Sequence, residues 1–147
     1  MAKRKIVFVC SANTCRSAVA EAILREYGGE KYEVSSAGLF AVKDESMAPE
    51  CASALSDMFG RLVYAGSHSA RKLTEEIMSE NDEIVAVSEG YAALIRAFFP
   101  SYAEKVTAFP GEGIRDISRL SDAELARAVA EIRDAVFAMF LPDGTKN

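Results

Sequence analysis

Residues Ile6-Val7-Phe8-Val9 form an unbroken apolar run, three of the four β-branched, and it stops on Cys10. Such a run suits a strand covered on both faces, as in a parallel sheet. Ala18-Val-Ala-Glu-Ala-Ile-Leu-Arg-Glu-Tyr27 then carries strong helix formers at helical spacing. The segment Cys10-Ser-Ala-Asn-Thr-Cys15-Arg16-Ser17 between them is therefore expected at a strand's carboxyl end and a helix's amino end. Backbone N–H groups without intrahelical partners and the positive end of the helix dipole meet there, which suits a dianion and favours the thiolate form of a cysteine. Arg16 adds a planar fork able to grip two phosphoryl oxygens. A thiolate beneath a bound phosphoryl group is a nucleophile aimed at phosphorus. The plain alternative for Cys10 is a small buried hydrophobe at a strand end.

The remaining pattern alternates helix and strand. Strands are expected at Tyr32 to Ser36, Glu83 to Val87 and Lys105 to Ala108. Helices are expected from Pro49 to about Phe59, in a short segment after the Thr74 cap, and from Glu89 to Phe99, where Pro100 ends it. Ser121-Asp-Ala-Glu124 reads as a capping box opening a last helix to about Phe140, with Leu125, Val129, Ile132 and Val136 on one stripe. Residues Leu62 to Ser69 read as a surface connection. Strands separated by helices predict an α/β fold, a single domain over residues 1–147 with a central four-stranded parallel sheet and helices on both faces. Ligands of such sheets sit outside the carboxyl ends of the strands.

Composition narrows the class. With 147 residues, half of them apolar, the chain can bury a sizeable core. No run approaches the roughly 20 apolar residues that cross a bilayer, and Met-Ala-Lys-Arg-Lys leads directly into a strand, so a cytoplasmic protein without membrane partners is expected. A net charge of −5 argues against nucleic acid as a partner. Three cysteines are too few and too unevenly placed for a disulfide framework and lack zinc spacing, so no metal or cofactor is expected. Cys51, in the Pro49 helix, reads as filler of core or surface.

Hydrolysis through a cysteine also needs a proton for the departing group and activation of the water that follows. Asp116 can do both in turn, because it follows the last strand and precedes the last helix on a loop able to fold over the pocket. The alternative is an ordinary loop aspartate paired with Arg115 or Arg119. Asp122 is its rival, but the capping box already accounts for it. Ser17 can donate a hydrogen bond to the Cys10 sulfur, or simply start the helix. Asn13 tolerates left-handed backbone. His68, the chain's one histidine, reads as a structural hydrogen-bonding residue.

The sequence resembles the low-molecular-weight protein-tyrosine-phosphatase family, whose signature is Cys, five residues, Arg and Ser after a first strand. Ser35-Ser36-Ala37-Gly38, Ser67-His68-Ser-Ala-Arg71-Lys-Leu73-Thr74, Asp82-Glu-Ile-Val-Ala-Val-Ser-Glu89 and Ile114-Arg-Asp116-Ile-Ser118 resemble further family segments in the same order. The resemblance implies phosphotyrosine or other aryl-phosphate hydrolysis through a phosphocysteine on Cys10, with Arg16, Asp116 and Ser17 catalytic. It implies that Ser11, Ala12, Asn13, Thr14 and Cys15 bind phosphate or another oxyanion of a phosphorylated protein. It further implies that Asn13 braces the loop through Ser36 and His68, and that Cys15 could trap an oxidised Cys10 as a reversible disulfide; a packing role for Cys15 is the alternative.

Departures from the family pattern touch the substrate more than the chemistry. Ala12 stands where glycine is usual and Ala18 where proline is usual. Ile117 and Ser118 replace a proline and an aromatic that would stack on a phosphotyrosine ring. Phe40 could supply the opposite wall, or pack in a loop. Thr14 resembles the family's protein-arginine phosphatases, where a hydroxyl meets a guanidinium phosphate. Two further readings are a phospho-binding module without turnover and an arsenate reductase. The latter needs two more cysteines in reach, and none lies between Val87 and Phe99.

Overall fold

The computed structural model describes residues 2–117 and 120–143. In chain order the elements are β1 (Arg4–Cys10), α1 (Arg16–Gly28), β2 (Tyr32–Gly38), α2 (Pro49–Phe59), α3 (Glu75–Glu80), β3 (Glu83–Ala86), α4 (Glu89–Phe98), β4 (Val106–Ala108) and α5 (Asp122–Phe140). The strands form one parallel sheet in the order β2-β1-β3-β4. The chain thus leaves β1 for one edge and returns to its other side. The crevice outside the ends of β1 and β3 is the topological switch point, and β1 ends there on Cys10.

The apolar run of β1 is buried because both sheet faces are covered. Ile6, Phe8 and Cys10 face a cluster built with Val19, Ile23 and Leu24 of α1, Cys51 and Leu55 of α2, and Leu125, Val129, Ile132 and Val136 of α5. Val7 and Val9 face Leu73, Ile77 and Met78 on one side and Ala92 and Ile95 of α4 on the other. Period-two alternation along one strand therefore divides the core into two layers. Phe8 is its central aromatic, stacked on Phe109 at 5.9 Å and edge-on to Phe140 at 5.7 Å.

Helix starts follow the expected capping. Thr74 accepts from the Ile77 N–H at 3.2 Å, and Ser121 and Glu124 form the reciprocal capping box. In that box the Ser121 backbone N–H holds the Glu124 carboxyl below its ordinary range. The departures lie at boundaries. β2 runs on to Gly38, because its backbone continues to pair with Cys10 and also bridges to Lys72. β3 ends at Ala86 and α4 at Phe98. Lys105 belongs to a 3-10 turn (Pro100–Lys105) rather than to β4. Its ammonium donates to the carbonyls of Met78, Ser79 and Asn81 at 2.9–3.2 Å, and so closes the carboxyl end of α3. The Leu62 to Ser69 connection contains a short 3-10 turn, Ala65–Ser67.

Phe8→Ala should lower stability by about 3–5 kcal/mol. The change is read as a shift in the urea midpoint, against Phe98→Ala on the exposed face of α4 as a control expected to stay within about 0.5 kcal/mol.

Candidate functional site

The segment from Cys10 to Arg16 curls around the amino end of α1 and lines a cavity of about 230 Å³ with Cys10, Ser11, Ala12, Thr14, Cys15, Arg16 and Asp116. Two features of the backbone shape it. Asn13 takes a left-handed conformation at φ 61°, and Ala12 does not, so the alanine in place of the family's usual glycine meets no backbone strain. Gly38 lies directly beneath: a Cβ there would overlap the Ser11 carbonyl oxygen and come within 3.0 Å of the Asn13 nitrogen. Leu39 and Phe40 then donate their N–H groups to the carbonyls of Cys10 and Ser11, both at 2.9 Å. β2 thus continues as a rail along the loop.

Hydrogen bonds around the buried Asn13 side chain hold this shape. Its amide donates to Ser17 Oγ and to Ser36 Oγ, each at 2.9 Å, and its Oδ1 accepts from the Arg71 N–H at 3.0 Å. Its backbone carbonyl accepts from His68 Nε2 at 2.6 Å, so that ring nitrogen carries the proton. Ser36 in turn donates to the Glu21 carboxylate, and Arg71 Nε donates to the Ser36 carbonyl at 2.9 Å. Glu21 is also paired with Arg25. Among the described residues no buried side-chain nitrogen or oxygen lacks a partner.

The Cys10 sulfur sits at the centre of this arrangement. It accepts from the Asn13 backbone N–H at 3.3 Å and lies 2.9 Å from Ser17 Oγ. With Cys10 as a thiolate the sulfur can only accept, and the Ser17 hydroxyl then donates to it at 2.9 Å rather than to the Ala37 carbonyl at 3.5 Å. Asp116 faces the cavity from the segment after β4. Ile114 and Ile117 on either side of it are buried in the core, and the Ile114 N–H donates to the Val87 carbonyl at 2.8 Å, which pins that segment to the end of β3. Ile117, the replacement for a family proline, is therefore an anchor.

A thiol, a guanidinium and a carboxylic acid on one small anion-shaped cavity call for comparison with known proteins. The model of the low molecular weight phosphotyrosine protein phosphatases matches residues 5–136. The chain belongs to this family.

Among its relatives is a protein-arginine-phosphatase of Bacillus subtilis, 36% identical over 69% of this chain and 67% of its own length. The low molecular weight protein-tyrosine-phosphatase Wzb of Salmonella typhi is 29% identical over 92% and 84%. The solved YwlE arginine phosphatase, a mutant with a phosphorylated active-site serine, superposes with a TM-score of 0.83 at 26% identity, covering 92% of both chains. The protein is accordingly a cysteine-dependent phosphatase of the low-molecular-weight family, and the single-domain α/β reading agrees with that neighbour.

Of the expected site residues in this phosphatase, Cys10, Ser11, Ala12, Thr14, Cys15, Arg16 and Asp116 converge on the cavity, with Ser17 behind the sulfur. Asn13, expected among the binding residues, does not line the cavity: it is fully buried, with its backbone N–H on the Cys10 sulfur and its side chain turned into the protein. Ser36 and His68 support the loop through Asn13 as expected. Phe40 is 60% exposed and does not line the cavity, although its backbone is tied to Ser11. Ser118 and Arg119 lie outside the described residues.

Two residues were missed by the sequence reading. Tyr91, third residue of α4, sets its ring 5.4 Å from the Arg16 guanidinium carbon and its hydroxyl 3.5 Å from the Arg16 fork. The signal available was its place in the first turn after β3, at the end of the sheet where Cys10 lies. The cysteines need a larger correction. Cys51 is bonded to Cys15 in a disulfide with Cα atoms 6.4 Å apart, and Cys10 is the free thiol. Cys51 is therefore not filler, and Cys15 is paired with it in this structure. The contact arises because Ala48, the residue before α2, donates its N–H to the Thr14 carbonyl at 2.9 Å and brings the start of α2 onto the loop.

A cation over an aromatic face contributes about 1 kcal/mol. Tyr91→Leu should thus lower kcat/KM for p-nitrophenyl phosphate about fivefold and weaken inhibition by inorganic phosphate in parallel, with Tyr91→Phe within about twofold of the parent. Loss of melting temperature alone, with both kinetic readouts unchanged, would make Tyr91 a packing residue only.

Proposed function

We propose that this phosphatase removes phosphate from protein arginine, using Cys10 as the nucleophile. The observation that carries the substrate reading is Thr14, whose residue lines the same cavity as Cys10, Arg16 and Asp116, while no aromatic residue lines it among the described residues. A hydroxyl there meets a polar guanidinium phosphate, where a larger aliphatic group would crowd it. The likeness to the Bacillus subtilis protein-arginine-phosphatase supports the same reading.

In this scheme Arg16 and the loop N–H groups bind the phosphoryl oxygens and stabilise the charge they carry during in-line transfer. The Cys10 thiolate attacks phosphorus as the bond to the guanidine nitrogen breaks, and Asp116 protonates that nitrogen as it leaves. Water then attacks the phosphocysteine, Asp116 takes its proton, and Cys10 departs as a thiolate stabilised by the Ser17 hydroxyl and the Asn13 N–H.

The second reading is phosphotyrosine hydrolysis. Phe40 favours it, as an exposed ring at the end of the β2 rail, tied by its own backbone to the loop at Ser11. An aryl ring leaving the cavity on that side could stack against it.

Phosphate release from matched phosphoarginine and phosphotyrosine peptides decides between them, with Cys10→Ser as the blank. The phosphoarginine peptide should be the better substrate, and Thr14→Ile should shift the ratio of kcat/KM toward phosphotyrosine by roughly 10-fold or more, the scale of one misplaced small group in a pocket. A ratio unmoved by Thr14→Ile removes the argument from Thr14. A parent that prefers phosphotyrosine transfers the function to the second reading, and release no faster than the blank leaves only phosphate binding.

A further inference from the structure

We propose that Cys51 is the terminal thiol of a three-cysteine relay that takes oxidation away from Cys10, with hydrogen peroxide or an alkyl hydroperoxide as the oxidant. Cys10 and Cys15 line one cavity, and Cys51, fully buried in the first turn of α2, is bonded to Cys15. Cys15, at the start of α1, thus stands between a cavity-lining thiol and a core thiol. The Ala48 N–H to Thr14 carbonyl bond fixes the spacing between the two segments.

The chemistry follows from that order. The Cys10 thiolate attacks the peroxide, and the O–O bond breaks to leave Cys10 sulfenic acid and water or an alcohol. The Cys15 thiol attacks the Cys10 sulfur, water departs, and a Cys10–Cys15 disulfide forms. The Cys51 thiolate then attacks the Cys15 sulfur and expels Cys10 as a thiolate. One peroxide has gained two electrons, Cys15 and Cys51 have lost them, and Cys10 is again a nucleophile. The final pairing is the one the structure holds, with Cys10 free. A dithiol reductant resets the pair.

Two features favour the last exchange. Cys51 is held in the core against Cys15, so the attacking sulfur needs no search. The leaving sulfur, Cys10, is stabilised as a thiolate by the Ser17 hydroxyl and the Asn13 N–H, and a stabilised thiolate is the better leaving group.

The relay rests on the reading that Cys10 carries turnover, and disulfide mapping, which needs no turnover, separates failure of one from failure of the other. The full chain is reduced with dithiothreitol, desalted, treated with one equivalent of hydrogen peroxide, alkylated and mapped, while p-nitrophenyl phosphate turnover is followed without reductant. The parent should give the Cys15–Cys51 disulfide with Cys10 alkylated and lose less than about twofold of its activity. Cys51→Ser should accumulate the Cys10–Cys15 disulfide and lose activity at least about 10-fold, recovered by dithiothreitol. Cys51→Ala serves where serine in that apolar site fails to fold, and each protein is compared with itself before peroxide. A parent that maps to Cys10–Cys15, or to over-oxidised Cys10 with Cys15 and Cys51 still reduced, overturns the relay. So does a Cys15–Cys51 bond that dithiothreitol does not open in the folded protein.

Discussion

The Asn13 side chain is the point on which the site depends. Its left-handed backbone turns the loop with the Asn13 N–H on the Cys10 sulfur, and such a conformation in a residue other than glycine persists only where its surroundings over-determine it. Here they do so by using both amide hydrogens and the amide oxygen, on Ser17, Ser36 and the Arg71 backbone. His68 and Glu21 add a further layer around the same residue, through its carbonyl and through Ser36. Three distant parts of the chain, α1, β2 and the segment before α3, are thereby committed to one loop shape. The Cys10 sulfur inherits its place from that commitment, since Ser17 and the Asn13 N–H both point at it.

Much of this was legible from the residues. The apolar run of β1, Pro49 at a helix start and the Ser121 capping box each carry a local physical signal, and each element formed where that signal stood. The loop itself was legible because its chemistry lies within one contiguous stretch, Cys10 to Ser17. Boundaries were lost where tertiary partners take over from local preference. Lys105 left β4 because its ammonium caps α3, and β2 outran Ser36 because its backbone goes on pairing with Cys10 and bridges to Lys72.

Tyr91 and Cys51 show a different limit. Tyr91 has only its place in the first turn after β3 as a signal, and Cys51, a lone cysteine on a second helix, has none. Their roles arise from distance in sequence, 75 residues from Arg16 to Tyr91 and 36 from Cys15 to Cys51. Only the sheet order, which places β3 beside β1, brings the start of α4 to Arg16. The contact of α2 with the loop likewise depends on the long connection after β2, whose course no periodicity predicts.

The same accounting explains why chemistry and substrate choice separate so cleanly in this site. The residues that hold the loop have spent their hydrogen-bonding capacity in a buried setting, and removing one partner strands the others at a cost of about 1–3 kcal/mol each. Asn13, Ser17 and Ser36 cannot drift without loss of the loop. Among the described residues, Thr14, Ala12 and Phe40 stand outside that network as far as their side chains are concerned: Ala12 and Phe40 are exposed, and Thr14 is tied down through its backbone carbonyl. A change at Thr14 or Ala12 alters the cavity lining while leaving the sulfur, its donors and Arg16 in place. On the proposed reading, the choice between a guanidinium phosphate and an aryl phosphate therefore rests on Thr14 in the cavity lining rather than on Cys10 or Arg16.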